Sequence, residues 1–206
     1  GIYIGNEKVL YTPGVYSQNI FVGEFSGNDN GGFHNTAIGY AALKSVINEG
    51  NANVAMGSFA LTSNTEGNGN SALGWSALNS NTTGYDNSAC GAGALYFNTT
   101  GSLNTALGWY ALVGNSTGFN NTATGFRALF TNTTGNNNTA DGFYALATNS
   151  IGSNNTAIGN YADINAQNLT NSTAIGDSAL ATASNQVRIG NANVTSIGGF
   201  TDWTNI

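Results

Sequence analysis

The pentapeptide Asn-Thr-Ala-apolar-Gly, with small variations, returns along this chain at a fixed step. That step constrains the fold more than any local propensity. It begins at Asn35, Asn53, Asn70, Asn87, Asn104, Asn121, Asn138 and Asn155, and once more with Ser172 in place of Asn. The first step is 18 residues and the following seven are 17. A fixed period of this size marks a stacked array in which each unit covers its neighbour. Positions 1 to 17 are numbered here from Asn104 to Asn120. Positions 3 and 8 are Ala and position 5 is Gly in every copy. Position 9 is Leu except at Asp163, position 12 is Asn from Asn64 to Asn149, and position 15 is Gly from Gly67 to Gly152.

Composition alone points elsewhere. Only 7% of the 206 residues are charged, and 29 are Gly. So much Asn, Thr, Ser and Gly is the composition of a disordered tract. A disordered tract, however, has no need of Ala at one place and Gly two residues later in every copy. The alternation Thr-Ala-apolar-Gly has period 2, which predicts a strand. Gly at positions 5 and 15 predicts two turns where positive φ is needed. The Ala-Leu pair at positions 8 and 9 predicts a second short strand. A helical turn there is the rival, since Ala and Leu favour helix, but flanking Gly and Asn-Thr-Thr-Gly leave too few residues. The expected fold is all-β, a parallel β-solenoid of about 17-residue coils stacked about 4.8 Å apart, a rod of roughly 45 Å. Position 12 is expected to form an asparagine ladder in which each amide bonds the coils above and below.

Residues 1–34 read as degenerate N-terminal coils and a loop, 35–180 as the regular array, and 181–206 as a C-terminal cap. Ile2-Tyr3-Ile4-Gly5 and Ile20-Phe21-Val22-Gly23 end in apolar-Gly like the regular copies, with Pro13 between them. From Thr182 the period fails, and atypical units at the ends of an array cover its last coil. The chain opens in mid-pattern, as a piece of a longer protein would.

The net charge is −6, and Lys8, Lys44, Arg127 and Arg188 are the basic residues, so no basic stripe speaks for nucleic acid. No apolar run approaches the roughly 20 residues that span a bilayer, so membrane insertion of this segment is not expected. No signal peptide is visible, and Cys90 has no internal partner for a disulfide.

The Asn-x-Ala-apolar-Gly core over 35–180 resembles the head repeats of trimeric autotransporter adhesins, whose own repeats are commonly shorter. The tail Val187-Arg188-Ile189-Gly190-Asn191-Ala192-Asn193-Val194-Thr195-Ser196-Ile197-Gly198-Gly199 is similar to the segment before the self-cleaving intramolecular chaperone of phage tail fibres and bacterial surface fibres. The resemblance implies a left-handed β-roll and a parallel homotrimer, an extracellular location on a cell surface or virion, and a chaperone segment beyond Ile206.

No catalytic constellation is evident. His34 is the single histidine and lies beside a Gly-rich loop, where a solvated role is expected. The acids share no spacing, and the Gly-rich turns lack the strand-loop-helix context of a phosphate loop. Neither enzyme activity nor a cofactor is expected. The expected function is adhesion or receptor binding, with a cell-surface receptor or glycan as partner. The ligand candidates are Trp75, Trp109, Tyr110, Arg127 and Tyr144, aromatic and basic residues at positions 6 and 7 suited to sugar stacking or protein contact, with packing between coils or subunits as the alternative role. Position 4 carries Ile38, Met56, Leu73, Leu107, Ile158 and Ile175, an outward row that three chains facing a common axis would cover. Cys90, Thr124 and Asp141 interrupt it, and Asp141 is a candidate metal ligand on that threefold axis. The alternative class is an ice-binding solenoid, from the threonine rows at Thr82, Thr99, Thr133 and at Thr83, Thr100, Thr117, Thr134. Asn81, Asn98, Asn115 and Asn132 also stand in Asn-x-Thr sequons, glycosylation acceptors in a eukaryotic secreted protein.

Overall fold

The computed structural model describes residues 18–28, 31–45, 50–195 and 197, and the backbone of 2–4 and 7–11. The strands are β1 (Ile2–Ile4), β2 (Glu7–Tyr11), β3 (Ile20–Val22), β4 (Thr36–Ile38), β5 (Val54–Met56), β6 (Ser71–Leu73), β7 (Ser88–Cys90) and β8 (Thr105–Leu107). They continue as β9 (Thr122–Thr124), β10 (Thr139–Asp141), β11 (Thr156–Ile158), β12 (Asp163–Ile164), β13 (Thr173–Ile175), β14 (Leu180–Ala181) and β15 (Val187–Ile189). Among the described residues there is no helix.

From β3 to β11, and on through β13 to β15, consecutive coils place their strands in parallel register, with Ala106 opposite Ala89 and Ala123. The ladder bonds come from both ends of each strand. Thr105 N donates to Asn121 O at 2.8 Å, and Gly108 N donates to Cys90 O at 2.8 Å. The chain is thus an all-β parallel solenoid. The N-terminal stretch departs from the coils expected there, because β1 pairs antiparallel with β2, and β2 antiparallel with β3.

Position 3 points inward in every regular copy, and Ala37, Ala55, Ala72, Ala123 and Ala140 are fully buried. Ala at position 8 and Leu at position 9 meet it from the opposite wall, as with Ala94 and Leu95. Two walls this close leave room for a methyl on one side and a single Leu on the other, so larger residues at position 3 would overpack.

The opposite wall is not the short strand expected. It is a run of turns in which positions 7 and 9 take left-handed φ, 54° at Tyr110 and 52° at Leu112. Left-handed φ at a non-glycine residue costs about 1–2 kcal/mol. It is held because the backbone bonds reach both ways: Tyr110 N donates to Ala92 O at 3.0 Å, and Leu112 N to Ala128 O at 2.9 Å. The Leu side chain it directs inward is fully buried. Among the described residues a strand appears on this wall only in the last coils, where β12 pairs with β14 and position 9 is Asp163 in the first of them.

Position 5 has the positive φ expected, 139° at Gly108, and a Cβ there would lie 2.4 Å from Gly125 O. Position 15 is glycine for a different reason. Its φ is not in the left-handed region; a Cβ on Gly101 would meet Asn98 Oδ1 at 2.3 Å and Gly118 O at 2.5 Å.

That crowding marks the polar seam. The ladder at position 12 runs as expected: Asn98 Nδ2 donates to Asn81 Oδ1 at 2.8 Å and to its own coil's Gly101 O at 2.8 Å. A second ladder stands beside it at position 1. Asn104 donates to Asn87 Oδ1 from its backbone N at 3.0 Å and from Nδ2 at 3.1 Å, and Nδ2 also reaches Gly118 O at 2.8 Å. Each Gly carbonyl at position 15 therefore accepts from both ladders, as Gly118 O does from Asn104 and Asn115. The sequon asparagines Asn81, Asn98, Asn115 and Asn132 belong to this seam and are fully buried, so they present no amide to a glycan.

At the C-terminal end the step shortens, and Arg188 takes the register position of the inward Ala opposite Ala174. β15 is exposed along its length, and Arg188 Nε donates to Gly190 O at 3.0 Å. This unit ends the ladder among the described residues. Residues 198–206 of the expected cap lie outside the described residues.

Candidate functional site

The turn wall gives the array its chemically distinct surface. Where position 8 is buried and position 9 is an inward Leu, positions 6, 7, 10 and 11 supply the outer surface of this wall, apart from buried Ala41, Ser76, Gly93 and Val113. Rings at positions 6 and 7 stack from coil to coil. Phe126 lies parallel to Phe143 with centroids 5.1 Å apart, and Tyr144 parallel to Tyr161 at 5.6 Å. Trp109 packs on Tyr110 at 5.1 Å and edge-on to Phe126 at 5.1 Å. The rings of Trp109, Tyr110 and Tyr144 thus pack between coils, the alternative role weighed for them, and the tryptophans remain open to solvent. Trp75 is 52% and Trp109 49% exposed.

The file of rings is broken in one coil, where positions 6 and 7 are Ala92 and Gly93. A groove of about 480 Å³ on this wall is lined by Trp75, Tyr110 and Arg127. Tyr96, Phe97, Val113 and Phe130 complete its walls. Gly93 has φ of 66°, like its counterparts at position 7, and a Cβ on it would lie 2.3 Å from Tyr110 Cε1. The tyrosine ring therefore lies directly on bare backbone.

Of the five ligand candidates, the structure brings Trp75, Tyr110 and Arg127 into this groove. Trp109 and Tyr144 support it from behind, Trp109 by stacking on Tyr110 and Tyr144 by accepting a hydrogen bond from Arg127 Nη1 at 2.6 Å. Sequence reasoning missed Tyr96, Phe97, Val113 and Phe130. The signal was available at position 10, which carries the large apolar or aromatic residues Tyr96, Val113 and Phe130 in three successive copies where flanking copies carry Thr62, Asn79 or Ala147, and at position 11 of one copy, Phe97.

Arg127 lies among rings. Its guanidinium carbon is 4.8 Å from the Phe130 centroid, 5.3 Å from Phe126 and 5.7 Å from Tyr144. Its buried Nε has no hydrogen-bond partner. No carboxylate pairs with Arg127 among the described residues.

The opposite, strand face carries the position-4 row. Ile38, Met56, Leu73, Leu107, Ile158 and Ile175 are each between 37% and 48% exposed, stacked in register. Asp141 stands in this row between Thr124 and Ile158, exposed. Among the described residues no group of three or more His, Cys, Asp or Glu gathers to hold a metal. His34 is exposed with φ of 59°, and Cys90 is an exposed free thiol. The position-13 threonines engage their hydroxyls within the array: Thr82 and Thr99 donate them to the carbonyls of Thr99 and Ser116, each at 3.0 Å. The position-14 row, Thr83, Thr100, Thr117 and Thr134, is exposed. No helix among the described residues is long and apolar enough to cross a membrane.

These features define a parallel β-solenoid with an aromatic groove on one wall and an apolar row on the other. Among solved structures the chain is similar to the collagen-binding domain of the Yersinia adhesin YadA, at 24% identity and a TM-score of 0.49, over 85% of this chain and 76% of that one. No family model matches the chain, and no curated protein matches it.

Proposed function

We propose that this chain is a non-enzymatic, adhesive fibre module that binds a cell-surface receptor or glycan through its turn wall. The observation that carries this reading is the groove between Trp75, Tyr110 and Arg127, an open aromatic site held on a rigid wall. Ligand sites are concave and mostly apolar, with few directed polar groups. The body is the array 35–180, with 1–34 and 181–206 as its ends, and the latter leads toward a chaperone segment. The module is a left-handed β-roll and a parallel homotrimer, extracellular on a cell surface or virion. The position-4 row supports the trimer, because each such side chain gains roughly 1.5–3 kcal/mol on burial and a monomer leaves the whole row in water. In the trimer Asp141 sits near the threefold axis as a candidate cation ligand. An ice-binding role draws less support, since the position-13 hydroxyls are engaged within the array.

Two measurements test this. Light scattering in native buffer should give about three times the 21.1 kDa chain mass, and a folded species of single-chain mass sinks the trimer. Changing Trp75 and Trp109 together to Ala should reduce cell or glycan binding with the melting temperature nearly unchanged. Loss of fold instead assigns both rings to packing.

A further inference from the structure

We infer that the groove between Trp75, Tyr110 and Arg127 takes an acidic sugar residue, with its carboxylate on Arg127 and its C–H face on Trp75 and Tyr110. This rests on the lateral-binding reading above and names the ligand class of that site. The shape comes first. Four successive copies supply its rings, Trp75, then Tyr96 and Phe97, then Tyr110, then Phe130, and Gly93, which carries no side chain, lets the Tyr110 ring lie on the backbone as one of the walls. Flat ring faces that remain solvated suit the C–H face of a pyranose, which buries apolar surface without needing directed donors.

The charge comes second. Arg127 is the one cation between Lys44 and Arg188, in a chain of net charge −6. Its guanidinium is held by Tyr144 and by the Phe126 and Phe130 rings, and no carboxylate among the described residues answers its charge. A guanidinium is a planar fork that matches a carboxylate with two parallel hydrogen bonds, and partial desolvation against rings strengthens the pair. The site is thus complementary to an anion presented at the edge of a flat apolar group.

The backbone excludes the main competitor. An extended peptide docks by adding a strand to a free edge. Here the groove's main-chain groups are already engaged between coils: Gly93 N donates to Trp75 O at 2.9 Å, Ser80 N to Tyr96 O at 3.0 Å, and Phe97 N to Val113 O at 3.1 Å. Side-chain faces and Arg127 are what the groove offers, and a sugar acid uses both.

The test titrates the full chain with a tetrasaccharide of galacturonic acid and with the same tetrasaccharide after reduction of its carboxyls to alcohols, read by calorimetry and tryptophan fluorescence. The acid should bind at least about tenfold tighter than the reduced form, the scale of one charge-assisted pair. Arg127→Gln should erase that preference, and Arg127→Lys, which keeps the charge, should retain part of it. Gly93→Tyr, whose Cβ takes the place of the Tyr110 ring and so displaces that wall of the groove, should abolish binding of both. Melting temperatures of the variants verify the fold. Equal affinity for acid and reduced forms, both lost in Gly93→Tyr, overturns the acidic assignment while the groove reading stands. The same holds if neither sugar binds although Trp75→Ala still weakens adhesion to cells. Adhesion indifferent to Trp75→Ala and to Gly93→Tyr overturns the lateral site itself, and the inference with it.

Discussion

Replacing Asn98 by Ala probes the polar seam at its centre. Asn98 is fully buried, and its amide joins three coils: Nδ2 donates to Asn81 Oδ1 and Gly101 O, each at 2.8 Å, and Oδ1 accepts from Asn115 Nδ2 at 2.8 Å. Gly101 O keeps a donor after the change, because Asn87 Nδ2 reaches it at 2.9 Å. Asn81 Oδ1 and one Asn115 Nδ2 proton are left buried without partners. Each orphaned group costs about 1–3 kcal/mol, and the void adds to this unless a water enters. The expected loss is about 3–5 kcal/mol. For a domain of this size, about 2–4 °C per kcal/mol gives a drop of roughly 6–20 °C by differential scanning calorimetry. Asn79→Ala is the control: it removes one exposed bond, Nδ2 to Phe59 O at 3.1 Å, and should change the midpoint by no more than about 2 °C. A drop for Asn98→Ala no larger than for Asn79→Ala would refute the claim that the ladder holds the coils in register.

Asp141→Ile should raise the melting temperature of the assembled protein by restoring the apolar residue of the position-4 row, with a gain above about 1 kcal/mol per chain; a lower melting temperature would mean that Asp141 holds a ligand that stabilises the seam. Asp163 gives a pH signature: burial pushes its carboxyl above the ordinary 3.8, against hydrogen bonds from Thr148 and Ile164 that pull it down. The folded chain then holds this proton more tightly than the unfolded chain, so the Asp163 contribution to stability falls as pH rises from about 3.8 through the raised value. Asp163→Asn should flatten that part of the stability curve, and denaturation midpoints that keep the same pH slope in the variant would exclude Asp163 as the cause.

The sequence by itself determined the coil. A 17-residue period with invariant Ala and Gly points to a stacked coil; the inward Ala and the outward position-4 row follow from period 2 on a stacked strand, and the position-12 ladder follows from Asn recurring at one place in every coil. Tertiary structure alone decided the second wall. No local rule places Leu112 at φ of 52°, since left-handed Leu is unfavourable in isolation; backbone bonds to the coils on either side and burial of the side chain outweigh that cost. The second ladder at position 1 has the same origin, because an Asn preceding a strand gains its partner only when the next coil arrives. The groove is the extreme case. Trp75, Tyr96, Tyr110 and Arg127 belong to four successive copies, and they line one groove because the stacking of coils converts a separation along the chain into adjacency across the wall.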